Sequence, residues 1–160
     1  MYKRILVPVD GSHTSTRGLQ EAVKLAKEQR ARLRLIHVVD EWAVTQSVDV
    51  MGGAGNILDA LEESGKKAIR NAKTLTDRHG VKAETAMFRN LSGRVADFIV
   101  REARKWRAEL IVMGTHGRRG FSHVLLGSDA EAVVKSSPVP VMLVRSVAKA
   151  KPKKRAATHK

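Results

Sequence analysis

The sequence predicts an α/β fold built on an open, mainly parallel five-stranded sheet with helices on both faces. Short runs rich in Val, Ile and Leu recur along the chain, and segments with the three- and four-residue spacing of amphipathic helices separate them. The first run, residues 3–9, is nearly all apolar after Arg4, as expected of a strand covered on both faces. Strand–helix–strand units with short turns imply parallel, right-handed crossovers.

The elements follow in order from these patterns. The predicted strands are 3–9, 33–39, 81–88, 110–113 and 139–144, and the third, being more polar, is expected nearer a sheet edge. Four helices lie between them, and His79–Gly80 and Pro138 are expected to end the second and the fourth. The predicted caps are Ser12 or Thr14, Ser92, and a capping box of Ser128 with Glu131. Residues 40–56, rich in glycine and without a stable period, predict a mobile loop or lid.

Length and composition limit the classes of protein to consider. A chain of 160 residues with 42% hydrophobic residues is consistent with one globular domain, expected over residues 1–146. The absence of cysteine excludes disulfides, thiol catalysis and Cys-ligated zinc, and agrees with a reducing cytoplasm. We expect no signal peptide, because a strand pattern begins directly after Met1, and no membrane partner, because no apolar run approaches the ~20 residues of a membrane helix.

The net charge of +14 is unevenly distributed. Residues 147–160 form a basic tail without acidic residues, predicted to be disordered. Such a tail can bind polyanions weakly through phosphate contacts, or it can be a solvated appendage. It contains no aromatic residue, which argues against base stacking on single strands.

A glycine-bearing loop follows the fourth predicted strand and leads into the last helix. Gly114 and Gly117 are two residues apart, and nine more residues lead to Gly127–Ser128. Unpaired N–H groups at a helix start, together with the helix dipole, favour an anion there, and glycine lets the backbone approach it closely. The loop is neither a Walker A motif, because no Gly-Lys-Ser/Thr closes it, nor a G-x-G-x-x-G motif.

The pattern G-x2-G-x9-G-[S/T] resembles the ATP-binding members of the universal stress protein family. Residues 5–12 and 137–144 also resemble that family's first strand and turn and its last strand, so the likeness covers residues 1–146. The resemblance implies an adenine nucleotide alpha hydrolase-like fold with strand order 3-2-1-4-5. It also implies a stress-response regulator or sensor that binds ATP or AMP, with or without Mg²⁺, and a homodimer through the strand Val139–Val144.

In that strand order, the crevice lies at the carboxyl ends of strands 1 and 4, which brings Asp10 beside Gly114. The resemblance implies that residues 8–10 contact the nucleoside, Val38 the adenine, residues 113–114 the ribose, and the later loop positions the phosphates. Asp10 is the candidate Mg²⁺ ligand, and a carboxylate at Asp129 either caps the helix or repels phosphate. The predicted nucleotide-binding residues are Pro8, Val9, Asp10, Val38, Met113, Gly114, His116, Gly117, Arg118, Arg119, Gly127, Ser128 and Asp129.

Two other functions use the same features. His116 or His123 in the loop suggests a slow ATPase or phosphotransferase, although the sequence shows no catalytic triad and no metal-ligand spacing among its six histidines. A binding protein is therefore favoured over an enzyme. The basic tail suggests, alternatively, a nucleic-acid-binding protein.

Overall fold

A computed structural model describes residues 1–47, 54–117 and 126–145. The strands are β1 (Arg4–Pro8), β2 (Arg32–Asp40), β3 (Ala83–Asn90), β4 (Leu110–Gly114) and β5 (Val141–Val144). The helices are α1 (His13–Gln29), α2 (Glu41–Ser47), α3 (Ala54–Arg78), α4 (Val95–Lys105) and α5 (Ser128–Ser136). All strand pairs are parallel and their order is β3-β2-β1-β4-β5, which confirms the predicted fold class.

The central strands separate two apolar cores. Alternate side chains of β1 point to opposite faces, so Ile5 and Val7 pack with α1 and α3, whereas Leu6 packs with α4 and α5. Every residue of β4 is buried, as the continuous apolar run predicted. The sheet therefore holds helices on both faces.

Two predicted helix boundaries are confirmed. The Ser12 hydroxyl accepts a hydrogen bond from the Ser15 N–H and caps α1. Gly80, with φ of +67°, follows the end of α3, where its N–H donates to the Asp77 carbonyl. The sequence therefore predicted the start of α1 and the end of α3, the two long helices that pack on the same face of the sheet.

Two predicted caps are wrong. Gly93, with φ of +93°, separates Ser92 from α4, so Arg94 occupies the cap position, and its side chain makes no capping hydrogen bond. At α5 the Gly127 carbonyl accepts from the Glu131 N–H, so Gly127 is the N-cap and Ser128 is already the first helical residue. The Glu131 carboxylate pairs with Lys135 instead of turning back to the cap.

The loop predicted over residues 40–56 is also wrong in part. Residues 41–47 form α2, because Asp40 accepts a hydrogen bond from the Ala43 N–H as an N-cap would, and residues 54–56 already belong to α3. Residues 48–53 lie outside the described residues, as do the predictions for Arg118, Arg119, His123 and the tail.

The two sheet edges are β3 and β5, as expected from their sequences. β5 begins at Val141 rather than Val139, and the Pro140 carbonyl accepts from the Ile111 N–H just before it. Proline has no N–H to donate, so the ladder of β5 starts after it. In the described ranges 1–47, 54–117 and 126–145, no helix has the length and apolarity that a membrane crossing requires.

Candidate functional site

A cavity of about 740 Å³ opens at the carboxyl ends of β1, β2 and β4. This is the point where the winding of the sheet reverses, since the chain goes from β1 toward β2 but from β4 toward β5. The side of the cavity near β2 is apolar, with Val38, Val39, Val44 and Leu61, and the opposite side is the glycine loop and the start of α5. The fold therefore builds a cleft with one apolar and one polar end.

The cavity brings together all the predicted site residues that the structure describes. Arg118 and Arg119 lie outside the described residues. The predicted residues that line the cavity are Pro8, Val9, Asp10, Val38, Met113, Gly114, His116, Gly117, Gly127, Ser128 and Asp129. Segments more than 100 residues apart in the chain thus meet at one site, whereas their binding roles stay predictions.

Asp10 is held by the turn between β1 and α1. Its Oδ1 accepts a hydrogen bond of 2.8 Å from the Ser12 N–H, and its own N–H donates to the Ser15 hydroxyl at 3.2 Å. The turn needs Gly11, whose φ is +80°. The Asp10 carboxylate therefore has a fixed direction at the mouth of the cavity.

The other carboxylate oxygen of Asp10 faces Gly117. A Cβ atom built on Gly117 would lie 2.9 Å from Oδ2, closer than side-chain carbons and oxygens normally approach. Neither loop glycine depends on a left-handed backbone, because Gly127 has φ of −71° and Gly117 is not among the glycines with positive φ. The positive φ that glycine permits is thus not the reason for these two glycines, and close approach remains as the physical reason.

Backbone contacts lock the glycine loop to α1 and α5. A Cβ on Gly114 would lie 2.8 Å from the Thr14 carbonyl carbon, so β4 and the first turn of α1 touch directly. The Thr14 hydroxyl donates to the His116 carbonyl. The Gly127 N–H donates to the Thr115 carbonyl at 2.8 Å, which closes the loop onto itself. The loop ends are therefore fixed by the scaffold.

The start of α5 combines an electropositive helix end with acidic side chains. Ser128 and Asp129 are both exposed at the cavity, and Asp129 and Glu131 stand in the first turn. The hydrogen bond from Lys135 holds the pKa of the Glu131 carboxyl below its ordinary value. Asp129 thus lines the cavity while remaining open to solvent.

On the β2 side of the cavity, the structure shows contacts that the sequence did not predict. The buried His37 ring donates from Nδ1 to the Val9 carbonyl at 2.7 Å and so joins β2 to the end of β1. Asp40 also lines the cavity, and its Oδ1 accepts from Asn90 Nδ2 at 2.8 Å. Asn90 is fully buried and also donates to the Gly93 carbonyl.

An ion pair fixes α2 beside this wall. Buried Glu41 accepts a hydrogen bond from Arg89, which raises the pKa of Arg89 above its ordinary value. Val44 of α2 then lines the cavity. The sequence signal for α2 was Asp40 followed by Glu41, a cap residue and an acidic first turn directly after a strand.

The candidate catalytic side chain that the structure describes in the glycine loop is His116. Nδ1 of the half-buried His116 lies 3.0 Å from the Thr115 hydroxyl. Over the described ranges, no group of three or more His, Asp or Glu side chains is placed to hold a metal ion. Asp10 and the exposed Asp129 both offer carboxylates at the cavity, and Mg²⁺ is held by one or two carboxylates together with substrate phosphates.

Comparison with known proteins identifies the family. The model of the universal stress protein family matches residues 1–145. This chain belongs to the universal stress protein family. It is 39% identical to the universal stress protein MJ0531 of Methanocaldococcus jannaschii over 154 residues, which cover 96% of this chain and 85% of the relative.

Solved structures of universal stress proteins share the fold. The structure of MJ0577 from Methanocaldococcus jannaschii superposes with a TM-score of 0.80 at 28% identity, covering 93% of this chain and 99% of that one. The universal stress protein of Archaeoglobus fulgidus in complex with dAMP superposes with a TM-score of 0.65 at 24% identity, covering 89% of this chain and 98% of that one. The second likeness is one of fold.

Proposed function

We propose that this universal stress protein binds an adenine nucleotide, ATP in the first place, in the cavity at the ends of β1, β2 and β4, and acts as a stress-response regulator or sensor. The observation that carries the proposal is the convergence of three features on one cleft: the Asp10 carboxylate, the Gly114–Gly117 loop and the first turn of α5. A volume of about 740 Å³ is in the range of small-molecule and cofactor sites.

The two ends of the cavity match the two ends of a nucleotide. The apolar wall of Val38, Val39, Val44 and Leu61 offers a surface to a base. At the other end, the N-terminal backbone of α5 and the loop glycines offer N–H groups to phosphate oxygens, and no Cβ blocks the approach at Gly117 or Gly127. The Archaeoglobus relative in complex with dAMP supports adenine as the base.

Asp10 stands between these ends. We assign its Oδ2 either to a ribose hydroxyl or, with ATP, to a Mg²⁺ ion on the phosphates, since Oδ1 already accepts the Ser12 N–H. The acidic side chains Asp129 and Glu131 at the phosphate end make a cation there more valuable, because they repel phosphate. We therefore expect Mg²⁺ to strengthen ATP binding more than AMP binding.

Calorimetric titration of the full chain with ATP and AMP, with and without Mg²⁺, tests the proposal. Gly117→Val places bulk against the Asp10 carboxylate and the phosphates, so it is expected to weaken ATP more than AMP. Asp10→Ala is expected to weaken both nucleotides similarly in the absence of Mg²⁺. The matched control is Gly55→Val in α3, where a Cβ has no neighbour within 4 Å among the residues that the structure describes.

Two results would refute the site. One is wild-type protein that binds neither nucleotide at millimolar concentration. The other is a folded Gly117→Val variant that binds ATP as well as the Gly55→Val control does. The ATPase or phosphotransferase alternative predicts turnover that requires His116, and a single-turnover assay with labelled ATP separates it from simple binding.

A further inference from the structure

The end of the sheet opposite the cavity, where the strands begin, carries a dense set of basic side chains. We call it the basic edge: the last turns of α1, α3 and α4 together with the residues that lead into β1, β2, β3 and β4. All of its basic residues are exposed except the half-buried Arg4. They are Lys3, Arg4, Lys27, Arg30, Arg32, Arg78, Lys82, Arg104, Lys105 and Arg107.

Acidic residues at the basic edge do not balance this charge. The acidic residues there are Glu28, Asp77, Glu84 and Glu109. Ten basic and four acidic residues leave an excess of six positive charges. Arg34 lies deeper and pairs at 2.6 Å with the buried Glu102, so that pair adds nothing to the excess.

The strand register aligns part of the set in a row. Arg4 is opposite Arg32, and the pairing of Leu33 with Ala83 places Lys82 next to Arg32. Neighbouring strands are about 4.8 Å apart, so like charges in this row repel one another. Two carboxylates already lie against the row, Glu109 at 3.1 Å from Arg4 and Glu84 at 3.8 Å from Arg32, and both are included in the count that leaves six positive charges in excess.

Helix dipoles explain only part of the charge. The carboxyl ends of α1, α3 and α4 face the basic edge, and each is equivalent to about half a negative charge. Three helices offset about one and a half positive charges. More than four of the six excess charges remain, and they require another explanation.

Two of these arginines occupy backbone positions that disfavour a side chain. Arg30 has φ of 53° and Arg107 has φ of 54°, and they are the non-glycine residues with positive φ in the described ranges. Both follow a helix, where glycine is the usual residue because it adopts this conformation without steric cost. Arginine at both positions places charge where glycine would give a more stable chain.

We propose that the basic edge binds double-stranded nucleic acid through its phosphate backbone, without preference for base sequence. Single strands are disfavoured because the aromatic residues there, Tyr2 and Trp106, are half-buried and cannot stack on bases. A membrane surface is disfavoured because Met1 is the one exposed large apolar residue in the described part of this edge. Regularly spaced phosphates suit a row of cations.

The basic edge and the basic tail consist of different residues, which can be varied separately. The tail follows β5, and the pairing of Val144 with Gly114 places the end of that strand at the cavity side of the sheet. The two polyanion sites are therefore independently testable, and neither depends on nucleotide in the cavity.

The test is fluorescence anisotropy of a short labelled DNA duplex with the full chain, titrated over a range of salt concentrations. The variants are Arg30→Gly and Arg107→Gly, which remove a charge while relieving a positive φ, so their unfolding midpoints are expected to stay equal or rise. The control is Arg94→Gly, the same change at an exposed helix cap on the cavity side, with φ of −112° and no side-chain cap bond. Glycine is accepted at such a cap.

We expect Arg30→Gly and Arg107→Gly each to weaken duplex binding about fivefold and to reduce the slope of log K against log salt by about 0.9, one phosphate contact each. Arg94→Gly is expected to leave the slope unchanged. The inference is overturned if wild type binds no duplex, or if all three variants weaken binding equally, which would indicate net charge alone. It is also overturned if replacing Lys153, Lys154 and Arg155 with glycine abolishes binding, or if anionic phospholipid vesicles bind with the same dependence on Arg30.

Discussion

The contact between α3 and β2 at Gly65 supports a quantitative prediction. Helix α3 crosses the buried His37 ring at this residue. A Cβ on Gly65 would lie 2.5 Å from His37 Cδ2 and 2.7 Å from Nε2. The ring is held from its other side, because Nδ1 donates to the Val9 carbonyl at 2.7 Å. Gly65→Ala therefore requires the helix or the ring to move by about 1 Å to reach normal contact.

The magnitude follows from two opposing effects. Overpacking a buried contact costs about 1–3 kcal/mol, whereas alanine in a helix interior gains about 1 kcal/mol over glycine. We expect Gly65→Ala to lower the free energy of unfolding by up to about 2 kcal/mol. Gly55 lies in the same helix, and within the described part of the chain no atom comes within 4 Å of a Cβ built on it, so Gly55→Ala is expected to be neutral or to stabilise by up to about 1 kcal/mol.

Urea denaturation of the two variants and wild type measures the difference. In a His37→Ala background the ring is absent, and Gly65→Ala should then stabilise as Gly55→Ala does, which a double-mutant cycle detects. A Gly65→Ala protein as stable as Gly55→Ala in the wild-type background would show that the helix adapts freely, and the close-approach argument would fail.

Three further predictions concern other contacts. Asn90→Ala is expected to destabilise the fold by about 2–3 kcal/mol, because a fully buried side chain that binds Asp40 is lost, and chemical denaturation measures it. Lys135→Met removes the hydrogen bond that lowers the pKa of Glu131, so carboxyl NMR should show Glu131 of the variant titrating at higher pH than in wild type. Because the folded-state pKa is lowered, the stabilisation from this pair is present above the ordinary value near 4.5 and is lost as pH falls. An unchanged pKa in the variant would contradict the pairing. We also propose that β5 pairs with a second copy of itself in an antiparallel two-fold dimer. Met142 is exposed on this apolar edge strand, so Met142→Asp should shift the species seen in sedimentation to monomer. A wild-type protein that is monomeric at micromolar concentration would refute the dimer.

The fold could be predicted from the sequence for the strands whose burial on both faces requires apolar residues. Parallel strands covered on both faces must be apolar, so β1 and β4 could be read directly from the sequence. α2 could not, because seven residues are too few for a helical period, and its stability comes from Glu41 pairing with Arg89, 48 residues later. The cap at α4 was missed because a cap depends on backbone dihedrals, and the positive φ of Gly93 moved the helix start by two residues.

On the β2 side of the site, Val38 is the one cavity-lining residue that was predicted, whereas the other predicted residues lie at the ends of β1 and β4, in the glycine loop and at the start of α5. The strand order implied by the family resemblance, together with the reversal of winding in that order, predicted that Asp10 and Gly114 meet. Asp40 and Asn90 carried no such signal, because their contact depends on the register of β2 with β3, where these two residues are the last pair. Arg30 and Arg107 were also invisible to the sequence, since positive φ is a property of the folded backbone.

Thr115 connects the proposed nucleotide site to the edge of the sheet. Its N–H donates to the Val144 carbonyl of β5, and its carbonyl accepts the Gly127 N–H at the start of α5. A peptide-length path therefore joins the edge strand to the phosphate end of the cavity. We propose that a nucleotide which shifts Gly127 would also shift Val144 through these two hydrogen bonds. By thermodynamic reciprocity, a partner strand on β5 would then change nucleotide affinity by the same factor as the nucleotide changes the affinity of the pairing. If the proposed nucleotide site and the proposed β5 dimer are both present and coupled in this way, the apparent nucleotide affinity is expected to change with protein concentration.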